Sequence, residues 1–314
     1  GFNPNMDSFF KGCWFFHKKM VKDEPMISGS GIPQVEGVLL RNFDMNWWKV
    51  LLFKFTGGVL SIGSGMSLGR EGPSVQLGAC VGQGLSRMLK RTRVEEKFLI
   101  TSGASAGLAA AFNAPLAGAV FALEEVHKNF SPLVLLSSLT AALASNFAAS
   151  EFFGLKPVFS FGNLPILPLE YYPLVIALGL ILGLAGILFN KYILLCQKLY
   201  SKLNGFLKEH RILIPLLITI IPGLVLPQIL GGGNQLIMSL TQDNLTLKIL
   251  LILLLGKFLF TITCFGSGAP GGIFLPMLSL GALIGCIYGK MLEQLLGIDS
   301  TFINNFIILS MAGY

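Results

Sequence analysis

Five stretches of this chain carry no Asp, Glu, Lys or Arg at all: Phe98–Leu123, Asn129–Ser150, Tyr171–Asn190, Ile212–Gln242 and Phe258–Gly289. Each reaches the roughly 20 residues that a helix needs to cross the hydrocarbon core of a bilayer. A water-soluble fold would have to hide all of them behind charged surface. Only 12% of the 314 residues are charged, with 53% hydrophobic, against about a quarter charged in ordinary soluble domains. The chain is therefore expected to be an all-α integral membrane protein. Its 37 glycines and 15 prolines follow no triplet period, which excludes a collagen-like chain, and its apolar content excludes intrinsic disorder.

The spans are interrupted at places a simple membrane helix would not choose: Asn113-Ala114-Pro115, Pro222-Gly223, Gly231-Gly232-Gly233 and the run Gly266 to Gly272. Irregular backbone at membrane depth is tolerated where protein or a water-filled cavity satisfies its polar groups. A polar path through the fold is the expected reason for these breaks.

Lys and Arg number 23 against 16 Asp and Glu, a net charge of +7. The excess is gathered in short blocks, unlike the broad basic face of a nucleic-acid binder. Arg87, Lys90, Arg91, Arg93 and Lys97 form one block, and Lys191, Lys198, Lys202, Lys208 and Arg211 another; both are placed on the cytoplasmic side by the positive-inside rule. The two blocks reach the same side only if Phe98–Leu123 is a hairpin of half-length helices, returning at Glu124, Glu125, His127 and Lys128. The five cysteines (Cys13, Cys80, Cys196, Cys264, Cys286) are odd in number and scattered, so neither a disulfide framework nor a metal site is expected. The first residues show no signal-peptide pattern and read as a truncated start.

Three segments share one design, a Gly-rich turn followed by Pro at the expected first helical position: Gly29-Ser30-Gly31-Ile32-Pro33, Gly69-Arg70-Glu71-Gly72-Pro73 and Gly271-Gly272-Ile273-Phe274-Leu275-Pro276. Pro suits that position because its missing N–H would have no intrahelical partner. A helix N-terminus presents free N–H groups and about half a positive charge, and so binds anions without a cationic side chain. Several such ends can hold a halide in a bilayer and still release it. The first turn also echoes Gly266-Ser267-Gly268-Ala269-Pro270, as internal repeats of secondary transporters do.

Glu71 lies between two glycines at one of these helix starts. Intramembrane ionisable residues are functional candidates by default. Its carboxylate would compete with a permeant anion for the same N–H groups and lose its hold on protonation, gating an anion path and carrying a proton. The plainer reading is a surface ion pair with Arg70. Glu124 and Glu125 close the run Leu116–Leu123 and read either as solvated charges or as the opposite end of a proton route. Lys54, Lys257 and Glu36 are expected to be buried structural partners.

These motifs, in this order, together with Ala111-Phe112-Asn113-Ala114-Pro115-Leu116-Ala117-Gly118, resemble the CLC family of chloride channels and chloride/proton antiporters. The resemblance runs from about Ser28 to the C-terminus. It implies an inverted-repeat membrane fold of many tilted, short and re-entrant helices, in a homodimer whose subunits each have a pore. It implies that the Ser30 hydroxyl contacts the central anion, that Glu71 is the external gate, and that Ile273 and Phe274 offer backbone N–H groups. Gly31, Ile32 and Gly72 complete the implied anion-binding set. Glu125 would be the internal proton-transfer glutamate, with Glu124 as an accessory, which favours exchange over a passive voltage- or pH-gated channel. Ser30 favours chloride, since nitrate-preferring relatives tend to carry proline there.

The implied partners are chloride, protons and the lipid bilayer of a prokaryotic inner membrane, with no cofactor, no metal and no nucleic acid. Residues 1–27 match the family poorly, and residues 28–314 form a CLC-type domain that is expected to be incomplete at its C-terminus, with no cytoplasmic regulatory domain. Tyr314 falls too early to be the family's chloride-coordinating tyrosine. A rival from another class, an intramembrane hydrolase using Ser64 or Ser105, needs a base beside the nucleophile. His17, His127 and His210 all fall in charged segments outside the apolar spans.

Overall fold

The computed structural model of the chain describes residues 19–154, 158–159, 161, 164–205, 210–242 and 245–314; Cys13 and His17 lie outside the described residues, as do Lys208 and most of the 1–27 segment. Among the described residues the regular elements are helical. In order they are α1 (Ile32–Leu39), α2 (Trp47–Gly63), α3 (Glu71–Met88), α4 (Arg93–Phe112), α5 (Pro115–Phe121), α6 (Pro132–Phe153), α7 (Tyr172–Ser201), α8 (Leu213–Val225), α9 (Asn234–Gln242), α10 (Leu247–Gly266), α11 (Phe274–Leu296) and α12 (Ile303–Gly313).

Three of the four expected interruptions are real; at Pro222-Gly223 the helix instead continues to Val225 with Pro222 inside it. Asn113 adopts a left-handed conformation, φ 56°, ends α4 and turns the chain into α5, which makes the hairpin that the charge parity requires. The apolar run Ile212–Gln242 divides into α8, a 3-10 turn Pro227–Ile229 and α9. Phe258–Gly289 breaks after Gly266. Among the described residues, four helical stretches are long and apolar enough to cross a membrane: Pro132–Phe153, Leu169–Ser201, Leu247–Gly266 and Phe274–Leu296. The first two have only 17% of their most apolar window buried, whereas the last has 67%. The outward apolar faces of α6 and α7 are thus suited to lipid, and α11 is an interior helix.

The chain divides into two compact units, Gly1–Ser61 with Gly69–Val158 and Gly268–Gly272, and Ile62–Leu68 with Phe159–Ser267 and Ile273–Tyr314. In the first, α3 and α4 pack backbone to backbone. A Cβ on Gly78 would lie 2.0 Å from the Gly103 carbonyl oxygen, one on Gly103 2.1 Å from that of Gly78, and one on Gly107 2.1 Å from that of Ser74. Small residues spaced by four let helices approach this closely in a bilayer, where association rests on close packing. Val75, Ala79, Ile100 and Ala104 fill the core beside this seam. The second unit uses the same device, with Gly281, Gly285 and Gly289 of α11 facing Ser310, Phe306 and Ile303 of α12.

Two stretches of the chain, residues 27–88 and 229–296, repeat one another in a register different from the expected one. Gly29–Pro33 pairs with Gly231–Gln235, not with Gly266–Pro270. Gly29 and Gly31 have φ of 65° and 97°, and Gly231 and Gly233 have 62° and 105°. Each turn leads into a short helix, α1 or α9, then a longer one, α2 or α10. The Gly266-Ser267-Gly268 segment matches Gly63-Ser64-Gly65 instead, with φ of 77° at Gly268 and 85° at Gly65. Shared Gly-Ser composition had paired turns that occupy different places in the repeat.

Candidate anion site

The first Gly-rich turn is held from behind. Lys54, fully buried on α2, donates from Nζ to the carbonyls of Ile27 at 2.9 Å and Gly29 at 2.7 Å. Gln34 Nε2 donates to the Ser28 carbonyl at 2.9 Å. Burying an ammonium in this way is costly unless its donors are used, and here the carbonyls of a tight turn use them. With those carbonyls occupied, the turn presents Ser30, Gly31 and the N-terminus of α1 on its other side.

That side meets the start of α3. A Cβ on Gly72 would fall 2.3 Å from Ser30 Oγ and 2.9 Å from the Ser30 carbonyl oxygen, so the Ser30 side chain occupies the notch that only glycine leaves. Glu71, the first residue of α3, is 3% exposed. The third Gly-rich run closes on both turns: Gly271 N donates to Gly29 O at 3.0 Å, Ser28 Oγ donates to Gly268 O at 2.9 Å, and Gly69 and Gly272 form an isolated antiparallel bridge. Ser30, Gly31, Ile32, Glu71 and Gly72 are therefore brought together. The chain passes from Gly272 directly into Ile273, which precedes α11, and Phe274, its first residue.

The prolines sit later than expected. Pro33 is the second residue of α1, and Pro73 and Pro276 are the third residues of α3 and α11. The physical reason given for them still applies, because every first-turn N–H lacks an intrahelical acceptor. The N–H groups of Ile32, Glu71 and Gly72 all lie ahead of or beside these prolines. They add partial positive charge from two helix ends to the Ser30 hydroxyl, an arrangement that suits a small anion.

Glu124 and Glu125 are exposed and lie on a π-helical turn, Ala122–His127, that continues α5. Such turns are uncommon in helices and are frequent at functional positions. Beside them Lys128 pairs with Glu36 of α1 at 2.6 Å. The Glu36 carboxylate raises the Lys128 ammonium above its ordinary pKa, and Glu125 adds to this. Glu36 is thus a half-exposed ion-pair partner and not the buried group expected from its apolar neighbours. Arg70 is exposed and donates to the Ala111 carbonyl at 3.3 Å.

For Ser105 the hydrolase rival finds no support in the geometry. Ser105 Oγ donates to the Ser138 carbonyl at 3.0 Å, and His127 Nδ1 lies 3.0 Å from Thr101 Oγ1. Tyr314 packs its ring against Phe189, with centroids 6.1 Å apart.

Lys54 and Lys257 are the buried structural partners expected of them; that their partners are the carbonyls of the Gly-rich turns was not foreseen. In the second unit Lys257, also fully buried, donates to the carbonyls of Ile229 and Gly231, the counterparts of Ile27 and Gly29. The signal was present: Lys-Phe precedes Gly-Ser-Gly at identical spacing in Lys54…Gly65 and Lys257…Gly268.

Residues 12–314 match the sequence model of the voltage gated chloride channel family, CLC. The chain belongs to the CLC family. It is 38% identical over 278 residues to the "H(+)/Cl(-) exchange transporter ClcA" of Vibrio campbellii, covering 87% of this chain and 59% of that protein. It is 40% identical over 271 residues to the ClcA of Vibrio cholerae, covering 84% and 58%. The chain spans about three-fifths of the length of these curated relatives. Among solved structures, a slow cyanobacterial Cl-/H+ antiporter matches with a TM-score of 0.85 at 28% identity, covering 97% of this chain and 78% of that one. A CLC-type fluoride/proton antiporter matches with a TM-score of 0.74 at 25% identity, covering 98% and 81%. The all-helical CLC fold expected from the motifs is the fold found.

Proposed function

We propose that this chain is the transport core of a CLC-type exchanger that moves chloride against protons, as a homodimer in a prokaryotic inner membrane. The observation that carries this reading is the meeting of Ser30 with Gly72 at the start of α3, immediately beside buried Glu71. The names of the relatives, exchange transporters and antiporters, support the same activity.

In this reading chloride accepts hydrogen bonds from the Ser30 hydroxyl and from backbone N–H groups at Gly31, Ile32 and Gly72, with Ile273 and Phe274 contributing from the start of α11. Glu71 is the gate. Its charged carboxylate occupies the same electropositive helix end as the anion, and protonation removes that attraction and clears the path. Glu125, exposed to water on its π turn, takes up the proton on the other face, with Glu124 beside it.

Proteoliposomes carrying the full chain under an imposed chloride gradient test this directly. The parent protein should drive protons uphill. Glu125→Gln should abolish proton movement and keep chloride flux, and Glu71→Gln should uncouple both. Chloride flux without proton uptake in the parent would replace exchange by a passive channel. Coupled transport persisting in Glu125→Gln would remove the role assigned to that residue.

A further inference from the structure

The first unit contains an open cavity of about 470 Å³ that the transport reading does not use. It is formed by the C-terminal end of α1 and the connection that follows it, the C-terminal part of α3 and the first two turns of α4. Its volume is in the range of small-molecule sites. Arg41, Arg87, Arg93 and Lys97 line it, against two carboxylates, Asp44 and Glu96. One of these cations is neutralised within the cavity, Arg87 by Glu96 at 3.3 Å.

Two features indicate what the cavity is built to hold. Arg93 and Lys97 lie on the first turns of α4, where the helix dipole attracts anions and repels cations. Placing them there is favourable when an anion sits between them. Gln83, 2% exposed on α3, lines the same cavity and has no hydrogen-bond partner for its Oε1 among the described residues. A buried acceptor left unmatched is costly, and a ligand hydroxyl would match it. Phe43, at the wall, is 52% exposed and apolar, which suits a ligand that continues into an acyl chain.

We propose that this cavity binds a phosphodiester anion that also carries a hydroxyl donor, the chemistry of a glycerophosphate headgroup. The phosphate lies between Arg41, Arg93 and Lys97, and the hydroxyl donates to Gln83 Oε1 once the amide, closed to solvent in its present rotamer, turns toward the cavity. Arg suits this task because its planar fork matches phosphate oxygens in pairs. Basic pockets at membrane-helix ends hold anionic headgroups by these forces.

Native mass spectrometry of the detergent-purified full chain, titrated with phosphatidylglycerol or phosphatidylcholine, tests the proposal without reference to transport. Phosphatidylglycerol should be retained in preference. Arg41→Gln with Arg93→Gln should weaken its retention about tenfold or more, as expected for lost charge-assisted contacts. Lys198→Gln with Lys202→Gln, in the other basic segment, should leave it unchanged. Displacement of the lipid by sn-glycerol 3-phosphate would identify a soluble phosphate ester as a competent source, and resistance to it would identify the lipid. Equal retention of the two lipids, or unchanged retention in the double variant, would overturn the proposal. Should the double variant fail to fold, Arg41→Gln alone and Gln83→Leu must each weaken retention, and parent-like binding in both would overturn it equally.

Discussion

Gly69 and Gly272 exchange both of their backbone hydrogen bonds, at 2.7 Å in one direction and 2.8 Å in the other. These glycines hold equivalent places in the repeat, each at the end of a broken stretch that leads into α3 or α11. A Cβ on Gly272 would lie 3.2 Å from the Gly72 amide nitrogen, so the two-residue bridge also sets the space around the N–H groups proposed to bind the anion.

The clearance at these glycines grades the expected effects of alanine. Gly72→Ala places a methyl 2.3 Å from Ser30 Oγ and 2.9 Å from its carbonyl oxygen, and should weaken chloride binding at least about tenfold by spoiling the cluster of donors. Gly272→Ala, with its nearest contact at 3.2 Å, should have a smaller effect. Calorimetric titration of each variant with chloride measures both, and equal losses would contradict the assigned geometry.

Lys54→Met and Lys257→Met each remove an ammonium that serves two turn carbonyls. Leaving those oxygens unmatched should cost about 1–3 kcal/mol in each variant. Because the contacts are the same, the two losses should be similar in thermal unfolding of the solubilised protein.

Gly103→Val should be more damaging than either lysine change. A Cβ there already meets a backbone oxygen at 2.1 Å, and backbone cannot rotate aside as a side chain can. Separating α3 from α4 should cost about 3 kcal/mol or more, read as a lowered melting temperature and heterogeneous elution on size exclusion.

At the start of α4, Thr92 and Glu95 form a capping box. Hydrogen bonds from the Thr92 backbone N–H and then its hydroxyl, with Arg91 adding a smaller attraction, hold the Glu95 carboxyl below its ordinary pKa. A lowered pKa contributes stability that is complete above the ordinary glutamate value of about 4.3, and is lost as pH falls through the folded value. Amide exchange at the α4 N-terminus should therefore accelerate in that acid window. Glu95→Gln should exchange faster at neutral pH and lose this acid step.

The membrane class, the hairpin at Asn113 and the Gly-rich turns were legible in the sequence because charge-free length, parity of basic blocks and backbone-specific residues are local properties. Glu71 could be singled out for the same reason, as an ionisable residue conspicuous in apolar surroundings, whereas Ser30 and Gly72 were named through the family resemblance of their motifs. The repeat register was not legible, because Gly-Ser-Gly occurs at two kinds of turn and composition alone does not distinguish them; the φ values and the lysine contacts do. Glu36 was misplaced because its partner, Lys128, is distant in sequence.

The amino-acid sequence by itself thus determined that this chain enters a membrane, where its helices break, and which few polar residues stand at the breaks, since each follows from solvation and local backbone preference. Only the tertiary structure decided that Ser30 fills the notch above Gly72, that Gly271 and Gly272 close on two other turns, and that Lys54 and Lys257 hold equivalent carbonyls. Those relationships depend on distances between segments far apart in the chain, which close packing selects and no local pattern encodes.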